Sequence, residues 1–141
     1  MNVSVRYFSR SGNTEKVAQA IAEALGVTAI PVGQKPSAAE EAADILFIGA
    51  AAYAFGIDDA VKNFLGGLDS AKVKKVVLFS TSALVKNMRP HIEKALAGKN
   101  IPLAEKTFHS WGEFKFTRKG HPNQQDLADA KAFAKGVASA G

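Results

Sequence analysis

A doubly wound α/β domain, with a parallel sheet covered by helices on both faces, is the architecture this sequence predicts. Two observations lead to it. Short apolar runs alternate five times with segments whose apolar residues recur at helical spacing, all within 141 residues. Such β-α alternation implies parallel strands joined by right-handed crossovers. The runs "ILFIG" (Ile45–Gly49) and "VVLF" (Val76–Phe79) are continuously apolar, as strands buried on both faces are. The length is that of one ordinary domain, so residues 1–141 read as a single unit able to bury its core without disulfides or metal.

The elements follow in order. Val3–Phe8 is the first strand, and Arg6 within it is a charge with no partner legible in the sequence. Residues 13–25 place Val17, Ala18, Ile21, Ala22 and Leu25 on one helical stripe. Val27–Val32 is a short second strand that meets Pro31, and the acidic, alanine-rich residues 37–43 predict a short helix. Strand three is Ile45–Gly49. Val61, Phe64, Leu65 and Leu68 form a second stripe, which Gly66-Gly67 weakens near its end. Strand four is Val76–Phe79, followed by a stripe of Met88, Ile92, Ala95 and Leu96. Ile101–Phe108 is the expected fifth strand, residues 110–123 are irregular, and Leu127, Ala130, Ala134 and Val137 mark the last helix.

Composition narrows the function. Hydrophobic residues at 47% and charged residues at 22% give the balance of a water-soluble globular chain. No apolar run approaches the roughly 20 residues that span a bilayer, so no membrane insertion is expected. Met1-Asn2-Val3-Ser4 lacks a basic region followed by an apolar run, which predicts no signal peptide and a cytoplasmic location. The absence of cysteine excludes thiol nucleophiles and thiolate metal sites. His91, His109 and His121 are too widely spaced to suggest a metal cluster. The net charge of +5 is uneven, because residues 72–119 hold eleven Lys or Arg against three Glu. This reads as a basic side or as a lysine-rich solvated face. The scattered charges carry no DNA- or RNA-binding motif, so nucleic acid is not an expected partner.

The chemistry concentrates where the first strand runs into the first helix, in "YFSRSGNTEKVAQAI". Ligands of open α/β sheets sit beyond the carboxyl ends of the strands. A helix N-terminus there offers unpaired N–H groups and the positive end of its dipole, which favour a phosphate. Ser9, Ser11 and Thr14 add hydroxyls, Gly12 permits close backbone approach, and Asn13 adds an amide or tolerates a left-handed conformation. Taken alone, the loop fits a phosphate cradle or a capped strand-to-helix turn. It is neither a Walker loop nor a dinucleotide Gly-x-Gly-x-x-Gly loop.

The same stretch resembles the fingerprint of the short-chain flavodoxin-like FMN-binding family, a Ser/Thr-x-Ser/Thr-Gly-Asn-Thr loop around the phosphate of FMN. The resemblance extends over nearly the whole chain. It implies a five-stranded three-layer sandwich of strand order 2-1-3-4-5, with FMN at the switch between strands one and three. It implies phosphate contacts from Ser9, Arg10, Ser11, Gly12, Asn13 and Thr14. In the family, a loop after strand three lies along the flavin ring. Here that loop contains Ala51, Ala52, Tyr53, Ala54, Phe55 and Gly56. Its small residues admit backbone contacts to the ring edge, and Tyr53 and Phe55 supply an aromatic face or merely close the core. Gly56 is similar to a family position whose peptide can flip when the flavin gains a proton. After strand four, Thr81, Ser82 and Ala83 border the other side, where many flavodoxins carry an aromatic residue. Trp111 then covers that region or plugs the sheet edge. Lys86, Arg89, Lys115 and Arg118 are expected near the flavin end, where they ease its full reduction, with Asp58, Asp59 and Glu113 opposing them.

The implied function is an electron carrier that binds FMN and exchanges electrons with partner proteins, a reductase and an acceptor. The alternative is a small FMN-dependent NAD(P)H or quinone oxidoreductase. A flavin-free phosphoacceptor module fits poorly, since strand one ends in Tyr7-Phe8-Ser9 and the first acids after strand three, Asp58 and Asp59, belong to the next helix.

Overall fold

The computed structural model describes residues 2–35, 42–51, 57–82, 88–112 and 120–140. The expected helix over residues 37–43 lies almost wholly outside them. Five parallel strands form one sheet in the order β2-β1-β3-β4-β5. They are β1 (Val3–Tyr7), β2 (Ala29–Pro31), β3 (Ile45–Ala51), β4 (Val76–Ser82) and β5 (Phe108–Trp111). The described helices are α1 (Asn13–Leu25), α2 (Asp59–Gly66), α3 (Arg89–Ala95) and α4 (Gln124–Ala140).

Alternation along the central strands builds a core on each face of the sheet. Ile45 and Phe47 of β3 and Val77 and Phe79 of β4 join Val17, Ile21, Ala130 and Ala134 on the α1/α4 face. Leu46, Ile48 and Leu78 join Val61, Leu65 and Ile92 on the α2/α3 face. This is the period-two consequence of a strand covered on both sides. Helix α1 buries Val17, Ala18, Ile21 and Ala22 of its predicted stripe, with Leu25 partly buried, and stops at Gly26 (φ 71°). There Gly26 N–H donates to Glu23 O and Val27 N–H to Ala22 O, the two bonds of a Schellman motif.

Arg6 finds its partners on the edge strand. It is 4% exposed. Its Nε donates to Ile30 O (3.2 Å), and its Nη2 donates to the carbonyls of Pro31 (2.9 Å), Val32 (3.3 Å) and Gln34 (2.5 Å). The guanidinium also lies 4.8 Å from the centroid of the Phe64 ring on α2. Strand β1 thereby fastens its three-residue edge neighbour β2 and the turn that leaves it.

The fifth strand is displaced from its expected place. Residues 101–107 make one bridge, Val76 to Leu103, and regular pairing begins at Phe108, opposite Phe79. Glu105, Lys106 and Thr107 are exposed, so the chain bows out between the two contacts. Arg89 serves this excursion by donating to the carbonyls of Leu103, Ala104 and Glu105. Ser110 and Trp111, expected in an irregular segment, belong to the strand.

Candidate functional site

The carboxyl ends of β1, β3, β4 and β5 converge on the loop that enters α1. Phe8 N–H donates to Gly49 O (3.1 Å), so the loop leaves the sheet along the β1/β3 junction. This is the switch point of the 2-1-3-4-5 order, where the crossover direction reverses. Ser9 Oγ accepts from Gly12 N–H (3.0 Å) and closes the turn. Gly12 takes φ 90°, and its carbonyl accepts the first intrahelical bond, from Lys16 N–H (3.1 Å). A side chain there would be strained by about 1–2 kcal/mol. Gly12, the N-cap of α1, has no side chain with which to cap the helix. A helix start of this kind suits an anion, because it turns the positive end of the dipole toward the strand ends, and a Cβ built on Gly12 meets nothing within 4 Å. Residues 9–14 include hydroxyls, an amide and a guanidinium but no carboxylate, a donor set that fits a phosphate.

The loop is braced from several sides. Thr14, 1% exposed, shares a 2.7 Å hydrogen bond between hydroxyls with Thr81, 2% exposed, at the end of β4. Both hydroxyls point into the protein, so Thr14 ties the helix start to the sheet. A Cβ on Gly112, just past β5, would lie 2.7 Å from Asn13 Nδ2, so the Asn13 amide rests on that glycine. Arg10 reaches across to Asp58, with Nε at 2.9 Å and Nη2 at 2.5 Å from Oδ2. The other carboxylate oxygen of Asp58 caps α2 by accepting from Ala60 N–H (3.1 Å). That cap, followed by Arg10, holds the Asp58 carboxyl below the usual carboxylate range.

Tyr7 supports the loop from beneath. Its hydroxyl donates to Glu15 Oε2 (3.0 Å) and so turns the one carboxylate of the first helical turn toward the sheet. Burial, and then Glu15, raise the Tyr7 phenol above its ordinary pKa. A raised acid favours folding below the unfolded pKa of about 10 and loses that contribution as pH rises through the folded value. Tyr7→Phe is expected to cost about 1 kcal/mol at neutral pH. The gap to the natural protein should shrink above pH ~10, as read by denaturant midpoints along an alkaline series. A gap that does not change with pH would sink this account of Tyr7.

The structure brings together Ser9 to Thr14, Ala51, Thr81, the backbone of Ser82, and Trp111. Ala51 pairs with Thr81 across β3/β4, and Ser82 pairs with Trp111 across β4/β5. Trp111 is half-buried and meets His109 edge-on, with ring centroids 4.8 Å apart. Ala52, Tyr53, Ala54, Phe55, Gly56 and Ala83 lie outside the described residues, as do Lys86, Lys115 and Arg118. Arg89, expected near the flavin end, engages carbonyls 103–105 and Glu93 (3.0 Å) on the α3 side. Gly112, the Tyr7–Glu15 pair and the bond from Arg10 to Asp58 were not expected at the site. For Asp58 the available signal was an aspartate at the start of an amphipathic helix.

Residues 4–112 match the profile of the flavodoxin domain. The chain belongs to the flavodoxin domain family. An uncharacterized protein of Methanocaldococcus jannaschii is 28% identical over 135 residues, 89% of each chain. A solved flavodoxin from the domain Archaea superposes with a TM-score of 0.79 at 18% identity, over 99% of this chain and 97% of its own. A flavodoxin, WrbA-like protein from Agrobacterium tumefaciens gives 0.73 at 24% identity, over 99% and 96%. At these identities the structural likeness concerns the fold, and it matches the strand order found here. Family membership supports a flavin-binding, flavodoxin-type function. Among the described residues no helix is long and apolar enough to cross a membrane.

Proposed function

We propose that this protein binds FMN without a covalent bond and carries electrons between a reductase and an acceptor protein. The observation that carries this reading is the glycine-capped start of α1 at Gly12, placed at the β1/β3 switch, in a chain of the flavodoxin domain family. When bound, the flavin supplies the redox chemistry, while the protein binds it, orients it and excludes side reactions. The backbone of residues 11, 13 and 14 and the hydroxyls of Ser9 and Ser11 hold the phosphate, while Gly12 N–H closes the turn on Ser9 Oγ. Thr14 fixes the helix start through Thr81. Residues 51–56 and 81–83, with Trp111, border the ring system.

The rival is a small FMN-dependent NAD(P)H or quinone oxidoreductase, and the likeness to a WrbA-like protein keeps it in view. Steady-state mixing of the FMN-loaded protein with NADH or NADPH, with and without a quinone, separates the two. A carrier shows negligible NAD(P)H consumption until a reductase is added. Rapid turnover by the purified protein alone would overturn the carrier reading in favour of the enzyme.

Thr14→Val provides a finer check, because it keeps the shape and removes the hydroxyl that meets Thr81. Two buried polar groups then become one unpartnered group, which costs about 1–3 kcal/mol of stability. FMN affinity should fall more than riboflavin affinity, because the helix start that meets the phosphate is loosened. Equal losses in a fluorescence titration would remove Thr14 from the phosphate account.

A further inference from the structure

The Arg10–Asp58 pair joins a cation inside the anion-binding loop to a carboxylate that cannot follow it. Asp58 is fixed by its own task, since Oδ1 caps α2 while Oδ2 receives the guanidinium. Its side chain is 12% exposed, whereas that of Arg10 is 67% exposed. The arginine is therefore the adjustable member. Pairs this open to water contribute about 0–1 kcal/mol to stability. Their effect on a nearby anion is a separate matter. Arg10 sits between Ser9 and Ser11, the two hydroxyl residues of the loop, so a dianionic phosphate there feels one positive and one negative side chain together.

We propose that Arg10 sets the preference of this site for a phosphorylated flavin over an unphosphorylated one, and that Asp58 restrains that preference by holding the guanidinium. This rests on the reading of the loop as the FMN phosphate site. The two residues then act with opposite signs. Arg10→Gln leaves the Asp58 charge uncompensated beside the phosphate and weakens FMN. Asp58→Asn keeps an oxygen to cap α2, removes the negative charge and tightens FMN. Riboflavin, which has the same ring and ribityl chain but no phosphate, is insensitive to both. A purely structural clasp predicts a different pattern: either substitution loosens the loop, and both flavins weaken together.

The test is a fluorescence titration of the full-length apoprotein with FMN and with riboflavin, at low and at physiological salt. It compares the natural protein with Arg10→Gln, Arg10→Lys and Asp58→Asn. The preference for FMN over riboflavin should fall about three- to tenfold in Arg10→Gln and rise by a similar factor in Asp58→Asn. Arg10→Lys should recover part of it, and added salt should narrow every difference. If both substitutions shift the preference in the same direction, or neither shifts it while the natural protein binds FMN, this proposal fails and the functional reading stands. If the natural protein binds no FMN, both fail.

Discussion

Arg6→Leu should lower the stability of the fold by about 2–4 kcal/mol. The guanidinium makes four hydrogen bonds to carbonyls of residues 30–34 from a side chain that is 4% exposed. Hydrogen bonds from a charged donor contribute about 1.5–3 kcal/mol each where buried, but Pro31 and Gln34 are exposed and water can replace part of the loss. Leucine fills some of the volume without reaching the turn. The expected consequence is local: β2, only three residues long, detaches first. Amide exchange near Ile30 and Val32 should therefore accelerate more than exchange in β3. Arg6→Lys should fall between, because one ammonium cannot span acceptors reached from two nitrogens of a planar fork. Unchanged denaturation midpoints in Arg6→Leu would show that the carbonyl network contributes nothing net.

Gly49→Ala should be comparably severe and should also reach the site. A Cβ on Gly49 would lie 2.2 Å from the ring of Phe79, which is itself fully buried. Neither β3 nor β4 can yield easily, since both are interior strands paired on each side. Overpacking of this kind costs about 1–3 kcal/mol, occasionally more. Gly49 O also accepts the N–H of Phe8, which leads into the candidate loop, so the displacement passes into residues 9–14. We expect both a lower melting temperature and weaker FMN binding. The double variant Gly49→Ala/Phe79→Leu should recover part of each, because leucine frees the space that the ring occupies. No recovery would mean that the ring is not what excludes the methyl group.

The architecture was legible wherever local pattern and burial agree. The apolar runs of β3 and β4 and the stripe of α1 lie where the sequence placed them, though β3 runs on to Ala51 and β4 to Ser82. The strand order came from the resemblance rather than from periodicity. The fifth strand was misplaced because Ile101 and Leu103 are apolar for a different reason: they pack against the α2/α3 core while the chain bows away from β4. Arg6 was opaque because its partners lie 24 to 28 residues away on the edge of the sheet. The loop of residues 9–14 stood out as a candidate phosphate site because its polar groups are contiguous in the sequence. Its braces did not, since Thr81 and Asp58 reach it from 67 and 48 residues away. Such contacts become visible only once the sheet has brought the strand ends together.

FMN binding is the central claim, and titration of the apoprotein with FMN, followed by its visible spectrum and fluorescence, tests it most directly. The account predicts saturation at one FMN per chain, flavin absorbance bands that persist through gel filtration, and release of intact FMN on denaturation. It also predicts weaker binding of riboflavin. FMN that stays fully fluorescent and separates from the protein on the column would contradict it, as would riboflavin binding as tightly as FMN.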